Sequence, residues 1–318
     1  MDMREAASGL LATLTVAIAC LLLAAGPALA DPVIAAAGDI ACDSSSEFYN
    51  GGAGVPGHCR QRATSNLLVA GGFSAVLALG DTQYHVGALS DFNSVFDQTW
   101  GRVKPIIRPS VGNHEYSTSN ARGYFDYFNG EGRNDGPAGE RDKGYYSFDI
   151  GSWHLIALNS QCGALGGCRR GSKEERWLTH DLATHPARCT LAYWHEPRFS
   201  SGPHGQEPVY DDFWRALYAA GVDIVLNGHD HIYERFAPQD PDAQPDPRRG
   251  IRAFIVGTGG KNHYAPAYAF RVVQPNSLVR NSQTFGVLEL TLHQDGYDWR
   301  FVPAAGGSFT DSGSGMCH

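Results

Sequence analysis

The sequence has no excess of positive charge. Its 25 Lys and Arg residues are outnumbered by 33 Asp and Glu, which gives a formal net charge of −8. An acidic chain with scattered arginines is poorly suited to coating nucleic acid or an anionic membrane surface. A small anionic partner remains compatible with this balance, because bound metal ions can invert the local field.

No two cysteines have the C-x-x-C spacing that zinc clusters use. Cys20 lies in the apolar N-terminal run, and the remaining cysteines form an even set. In an exported chain, an even set favours disulfides over a metal cluster. Many pairings are possible, and we prefer the nearest neighbours in sequence. That preference pairs Cys42 with Cys59 and Cys162 with Cys168, which leaves Cys189 with Cys317.

The long apolar run lies at the N-terminus, over residues 10–25. Arg4 precedes it, and Ala28-Leu29-Ala30 has the small-x-small pattern of a cleavage site before Asp31. The run is shorter than the roughly 20 residues of a membrane-spanning helix, and no stop-transfer charges follow it. We therefore expect residues 1–30 to be a cleaved signal peptide. Residues 31–318 would form a single exported domain with no membrane span.

No internal repeat, charge block or low-complexity linker divides residues 31–318. Short apolar runs end in turn residues and are typical of buried strands. They cover residues 33–37, 75–79, 106–111, 190–194, 222–226 and 251–256. Amphipathic helical patterns lie between several of them, over residues 61–70, 173–183 and 209–220. This alternation predicts an α/β sheet.

Two later segments predict antiparallel hairpins, over residues 144–160 and 285–303. The second contains Asp295-Gly296, a strong hairpin-turn signal. Residues 130–144 and 238–247 are rich in glycine or in proline and aspartate, and we expect them to be surface loops. The sequence therefore predicts a mixed sheet arrangement with helices on the outside.

Potential metal-binding side chains follow five of the predicted strands. Ligands bind at the carboxyl ends of strands in α/β folds, where loops can direct side chains into a crevice. Each motif is weak by itself, but five in succession are specific. They are Gly38-Asp39, Gly80-Asp81 with Tyr84, Gly112-Asn113-His114-Glu115, His195, and Gly228-His229-Asp230-His231.

This series resembles the calcineurin-like metallophosphoesterase superfamily, and its purple acid phosphatase branch in particular. The resemblance covers about residues 33–232. It implies a four-layer αββα sandwich, with two mixed β-sheets flanked by helices and a dinuclear metal centre at the sheet edges. It also implies that residues 31–318 are a metallophosphoesterase catalytic domain.

The resemblance implies a role for each strand-end residue. Asp39, Asp81, Tyr84 and His231 would hold one metal, and Asp81, Asn113, His195 and His229 would hold the other, with Asp81 as the bridge. Carboxylate and phenolate oxygens suit Fe(III), whereas imidazoles and an amide oxygen suit a divalent ion such as Zn, Fe or Mn.

One departure from the wider superfamily is informative. Many members have a histidine two residues after the first aspartate, where this chain has Ala41. Tyr84 would replace that ligand, as in the purple acid phosphatase branch, and a phenolate on Fe(III) would give the protein a visible colour. The alternative reading of Tyr84 is a buried core tyrosine.

The resemblance also implies a mechanism. Two metal ions about 3.5–4 Å apart lower the pKa of a bound water, and the resulting hydroxide attacks phosphorus in line. His114 would stabilise the transition state and the leaving group. His204 is the candidate general acid, with an exposed loop histidine as the alternative. We expect Glu115 and Asp230 to orient ligand histidines, and residues 257–260 to form a strand-end turn near the site.

We expect a secreted phosphomonoesterase acting on a small phosphate ester. Two other hypotheses remain open: a phosphodiesterase or nucleotide hydrolase with the same metal centre, and a secreted metal-binding module without catalysis. The second is disfavoured because every expected ligand position is filled. The oligomeric state is left open by the sequence.

Overall fold

A computed structural model describes residues 30–318 of the chain. The signal peptide predicted for residues 1–30 falls outside these residues, except for Ala30. The strands are β1 (Val33–Ala37), β2 (Ala75–Leu79), β3 (Ile107–Ser110), β4 (Tyr146–Ile150), β5 (Trp153–Ala157), β6 (Cys189–Tyr193), β7 (Ile224–Asn227), β8 (Tyr233–Phe236), β9 (Arg252–Val256), β10 (Ser277–Asn281), β11 (Gly286–Leu292), β12 (Gly296–Pro303) and β13 (Ser312–Met316).

The α-helices alternate with the strands in the first two thirds of the chain. They are α1 (Gln61–Gly71), α2 (Leu89–Asp91), α3 (Arg122–Asn129), α4 (Cys162–Leu165), α5 (Lys173–Thr184), α6 (Asp211–Ala220) and α7 (Pro266–Ala269). A π-helical turn, Phe92–Phe96, follows α2. Short 3₁₀ segments are Asn50–Gly52, Trp100–Ile106, Glu115–Ser117, Ser119–Ala121 and Pro208–Tyr210.

The strands form two mixed sheets. The first has the order β13-β12-β11-β1-β2-β3, and β1, β2 and β3 are parallel. The second has the order β10-β8-β9-β7-β6-β5-β4, with β5, β6, β7 and β9 parallel. The other neighbours are antiparallel. Each sheet thus has a parallel centre, and the carboxyl ends of its parallel strands lie at one edge.

The second sheet is buried on both faces. Alternate residues of a strand point to opposite faces. Leu155, Leu191 and Ile224 belong to the core shared with Ile34 and Leu288 of the first sheet. Their neighbours Ile156, Ala192 and Val225 belong to a second core, with Leu178 of α5 and Trp214 of α6. The two sheets therefore face each other, with helices outside, as the sequence predicts.

Local signals fix the helices that cover the second sheet. The Ser172 hydroxyl at the N-cap of α5 accepts the backbone N–H of Glu175, and the Glu175 carboxylate accepts the N–H of Gly171. This is a capping box. Helix α6 begins at two aspartates and ends at Gly221, whose φ of 78° gives a left-handed C-cap. Within residues 30–318 no helix combines the length and apolarity needed to cross a membrane.

Most predicted elements are confirmed within one or two residues, as are both predicted hairpins. The preferred disulfides are also present: Cys42–Cys59, Cys162–Cys168 and Cys189–Cys317. Strands β8, β10 and β13 were not expected. Strand β13 is a Ser/Gly-rich segment with little β propensity, and it is held by pairing with β12 and by the disulfide at Cys317.

Candidate metal centre

The predicted metal-binding side chains meet where the two sheets come together. Asp39 and Asp81 follow β1 and β2 of the first sheet, and His195 and His229 follow β6 and β7 of the second. The backbone N–H of Gly38, after β1, donates to the carbonyl of Val256, at the end of β9, with an N···O distance of 2.9 Å. The carboxyl edges of both sheets thus form one continuous site.

Three of these side chains form a first cluster. The Tyr84 hydroxyl lies 2.8 Å from Asp39 Oδ1 and 3.1 Å from His231 Nε2. His231 Nε2 is in turn 3.3 Å from Asp39 Oδ1. All three residues are buried. Two oxygens and one imidazole nitrogen therefore face a common point.

A second cluster surrounds His195, which is completely buried. Its Nε2 atom lies 3.3 Å from Asp81 Oδ2 and 3.1 Å from Asn113 Oδ1. It also lies 3.3 Å from Nδ1 of His229. Donor atoms of Asp39, Asp81 and His195 are all within 4.8 Å of one another, which connects the two clusters.

The donor set fits a pair of metal ions. Ligands bound at about 2.0–2.2 Å in tetrahedral or octahedral geometry are roughly 3.0–3.5 Å from one another. The donor separations in both clusters are close to this range, at 2.8–3.3 Å. Asp81 and Asp39 lie where the clusters join, which is the position that a bridging carboxylate requires.

Close approach explains the glycines of the motifs. A Cβ atom on Gly112 would lie 2.2 Å from Asp81 Oδ1, and one on Gly228 would lie 2.7 Å from Asp39 Oδ2. Asp39, Asp81 and His229 themselves adopt positive φ angles, at 59°, 47° and 70°. Strained backbone of this kind is concentrated at functional sites.

Comparison with known proteins identifies the family. The model of the calcineurin-like phosphoesterase family matches residues 33–233, which is more than half of the chain. The chain belongs to the calcineurin-like phosphoesterase family. The matched segment contains all seven predicted metal-binding residues.

Similar proteins within this family include purple acid phosphatases. Purple acid phosphatase 15 of Arabidopsis thaliana is 31% identical over 174 residues, covering 51% of this chain and 32% of that protein. Acid phosphatase type 7 of Mus musculus is 28% identical over 251 residues, covering 66% of this chain and 53% of that protein. The chain thus spans about a third to a half of the length of these relatives.

The structure of purple acid phosphatase PPD1 from yellow lupin (Lupinus luteus) seeds has the same fold. It matches with a TM-score of 0.70 at 18% identity, over 89% of this chain and 53% of that chain. This agreement confirms the predicted sandwich of two mixed sheets flanked by helices.

Two of the three ligand histidines in this phosphoesterase are oriented through their second ring nitrogen. His195 Nδ1 lies 2.8 Å from the carbonyl oxygen of Leu79, and His231 Nδ1 lies 3.1 Å from Asn262 Oδ1. Such partners fix the tautomer and the ring plane of a metal-binding histidine. Asn262 was missed in the sequence, because it follows a glycine-rich turn and belongs to no ligand motif. That turn, residues 257–260, packs against the end of β1 through Gly259 N–H and Gly38 carbonyl.

Glu115 does not orient a ligand histidine, and that prediction was wrong. Its buried carboxylate accepts the backbone N–H groups of residues 81–83 and of Gly112, at 2.7–3.2 Å. Glu115 therefore holds the loop that carries Asp81 against the loop that carries Asn113. The position of the metal-binding carboxylate depends on it indirectly.

The buried carboxylates of the centre require positive charge. Burial would raise the pKa of Asp81, but the opposing attraction of His195 lowers it. Burial would lower the pKa of His195, but Asp81 outweighs it and raises that pKa to about 10. Burial and the charge of His195 lower the pKa of His229 to about 4, which keeps its lone pair available.

Tyr84 is buried among acids. Burial, followed by the charges of Asp39 and Asp81, raises the pKa of its hydroxyl well above 10. A phenolate can therefore form there only beside a cation. This environment is more specific than that of an ordinary core tyrosine, because the hydroxyl points at two carboxylates and a histidine.

The two predicted catalytic histidines lie on either side of the clusters. The His114 ring lies over Tyr84, with ring centroids 4.3 Å apart, and its Nδ1 is 2.6 Å from the His85 carbonyl. The His204 ring lies over His229, with centroids 4.1 Å apart. Their side chains are 32% and 45% exposed, so both can meet a substrate.

Asp230 orients His204 rather than a ligand histidine. Its fully buried carboxylate lies 2.8 Å from His204 Nδ1 and also accepts the His204 backbone N–H. The hydrogen bond to Asp230 raises the pKa of His204, although burial opposes this. Asp230 therefore favours the protonated form of the candidate general acid.

Proposed function

We propose that residues 31–318 form a single catalytic domain that hydrolyses phosphate monoesters outside the cytoplasm, after removal of the signal peptide at residues 1–30. The observation that carries the proposal is the convergence of seven donor side chains in two connected clusters. The three disulfides are in keeping with an oxidising compartment.

We assign the ligands as the sequence suggests. Asp39, Tyr84, His231 and Asp81 would hold Fe(III), and Asn113, His195, His229 and Asp81 would hold a divalent ion (Zn, Fe or Mn). Oxygen donors dominate the first set, and nitrogen donors with an amide dominate the second, which supports this division. Bound in this centre, two such ions would supply positive charge to the phosphate oxygens and make a water molecule acidic near neutral pH.

The half-exposed histidines supply the remaining groups. His204 can deliver a proton to the departing ester oxygen, because Asp230 occupies Nδ1 and leaves Nε2 free to face the substrate. His114 is held through Nδ1 by the His85 carbonyl, which leaves its Nε2 atom, 3.7 Å from Asp81 Oδ2, on the side of the centre. It can therefore donate to the phosphate.

A comparison of two substrates tests the proposal. The purified protein, supplied with iron, zinc or manganese, should hydrolyse p-nitrophenyl phosphate with a higher kcat/KM than bis-p-nitrophenyl phosphate. A clear preference for the diester would replace the monoesterase with a phosphodiesterase. Hydrolysis of neither compound by metal-loaded protein would favour a metal-binding module.

The absorption spectrum tests the metal assignment. A protein with Fe(III) on Tyr84 should absorb visible light, and Tyr84→Phe should lose or shift this band. A colourless and fully active zinc or manganese protein would overturn the Fe(III) assignment while leaving the hydrolase proposal intact.

A further inference from the structure

Lys261 lies at the rim of the metal centre and has no role in the proposed ligand set. Its ammonium nitrogen is 4.9 Å from the centroid of the Tyr84 ring and 3.4 Å from His85 Nε2. The side chain is partly exposed, and the neighbouring His85 is exposed. A fixed positive charge therefore faces solvent beside the point where the clusters meet.

The backbone fixes the position of this lysine. The Lys261 N–H donates to the carbonyl of Asp39, and the Lys261 carbonyl accepts the N–H of Cys59, both at 2.9 Å. Cys59 is joined to Cys42 by a disulfide. Lys261 is thus attached on one side to the residue pair that carries a metal ligand and on the other to a cross-linked loop.

The hydrogen-bonding capacity of the ammonium group is largely unused. An ammonium group has three donors. Among residues 30–318, His85 Nε2 is the acceptor that faces it, and no carboxylate oxygen lies within the 4.0 Å of a salt bridge. Asp43 is the acidic side chain whose charge reaches it, from a longer distance. Two N–H groups are therefore available to a ligand.

We propose that Lys261 determines substrate class by binding a second anionic group of the phosphate ester. The preferred substrate would carry a carboxylate or a second phosphate on the alcohol, close to the scissile ester oxygen. This inference rests on the proposed hydrolase function. Lys261 acts as a specificity determinant in it, and His85 as the residue that orients the amine.

A competing explanation is electrostatic support of Tyr84 by the lysine charge. In that case, loss of Lys261 would affect every substrate equally. Lys104 provides a matched control, because its ammonium group lies 3.7 Å from the centroid of the Tyr127 ring, on the 3₁₀ segment before β3. Lys261→Met and Lys104→Met each remove one cation from a tyrosine face, but Lys261→Met alone does so at the metal centre.

Binding of two phosphonates tests the proposal without catalysis. Methylphosphonate and phosphonoacetate differ by one carboxylate, and their Kd values can be measured by calorimetry on the metal-loaded protein. The native protein and Lys104→Met should bind phosphonoacetate about tenfold or more tightly than methylphosphonate. Lys261→Met should lose this preference, and Lys261→Arg should retain most of it. No preference in the native protein, or an undiminished preference in Lys261→Met, would overturn the proposal.

Hydrolysis of phenyl phosphate and 2-carboxyphenyl phosphate gives a second readout. The ratio of their kcat/KM values should fall about tenfold or more in Lys261→Met, and an unchanged ratio would support electrostatic action through Tyr84 instead. If the native protein hydrolyses neither ester, the proposed function fails. The phosphonate preference then still decides whether Lys261 binds a second anion.

Discussion

Two clusters of buried histidine and aspartate occupy opposite ends of the second sheet. One is the metal centre at the carboxyl ends of β6 and β7. The other joins His154 of β5 to Asp149 of β4 and Asp181 of α5. His154 Nδ1 is 2.7 Å from Asp149 Oδ1, and its Nε2 is 2.8 Å from Asp181 Oδ2.

The two clusters contain the same residue types but satisfy them differently. At the far end, each nitrogen of His154 faces a carboxylate oxygen, so one imidazolium neutralises the cluster from within. At the metal centre, His195 Nε2 faces a second imidazole and an amide oxygen as well as a carboxylate. Several lone pairs converge there without an internal cation between them. The comparison shows that the pairing of donors with acceptors, rather than residue type, distinguishes a metal site from a structural ion pair.

The largest expected effect comes from changing one aspartate in each cluster. Asp81→Asn removes the carboxylate at the junction of the donor sets, so kcat/KM should fall at least about a thousandfold, or ~4 kcal/mol, and metal content should drop. Asp181→Asn should keep its metal and kcat/KM within about threefold. It should instead lose about 3 kcal/mol of unfolding free energy, because a buried imidazolium loses its partner. Equal losses of metal in both variants would remove the distinction between the clusters.

A smaller effect is expected at His204. His204→Gln should lower kcat about a hundredfold for phenyl phosphate, because proton delivery to the leaving oxygen is lost. The loss should be smaller for p-nitrophenyl phosphate, whose leaving group needs less protonation. His180→Gln, at an exposed position on α5, is the control and should change neither rate. Equal losses for the two esters would argue against a general acid.

Asn262 tests whether orientation of His231 matters for metal binding. Asn262→Ala removes the partner of His231 Nδ1, so the affinity for one of the two ions should fall about tenfold. Competition with a chelator measures this change. Asn134→Ala changes an exposed asparagine in a loop and should bind both ions normally. An unchanged affinity in Asn262→Ala would reduce Asn262 to a packing residue.

The smallest effect concerns the far cluster and pH. Burial would lower the pKa of His154, but its hydrogen bonds to Asp181 and Asp149 raise it above 6.5. Burial would raise the pKa of Asp181, but His154 and Ser147 lower it below 3.8. The histidine contribution is complete below pH 6.5 and is lost as pH rises through its raised pKa. The aspartate contribution is present above pH 3.8 and is lost as pH falls through its lowered pKa.

Urea unfolding at several pH values checks this expectation. The difference in stability between the native protein and His154→Gln should be largest between about pH 4 and 6.5, where both groups are charged. It should shrink towards alkaline pH. His180→Gln again serves as the control and should follow the native protein throughout. A difference that grows with pH would mean that His154 is neutral in the folded protein.

The sequence carried most of the metal centre because its signals are local. Each ligand directly follows a short apolar strand, and a glycine marks each place where the backbone approaches another ligand, as Gly112 does with Asp81. The parallel order of the strands then brings these ends together. Residues 33–233 also match the family model, which agrees with the resemblance seen in the motifs.

The parts that escaped prediction depend on partners far away in sequence. Asn262 is 31 residues from His231, and Lys261 is 176 residues from His85, with no motif to connect them. The carboxylate of Glu115 is next to a ligand motif, but it binds the backbone of a loop more than 30 residues earlier. Strand β13 exists through pairing with β12 and not through its own composition.

Elemental analysis of the purified protein tests the central claim most directly. The seven converging side chains predict about two metal ions per chain in the native protein, and Asp81→Asn should retain fewer. Less than about one ion per chain, together with no phosphate-ester hydrolysis after addition of iron, zinc or manganese, would contradict the account.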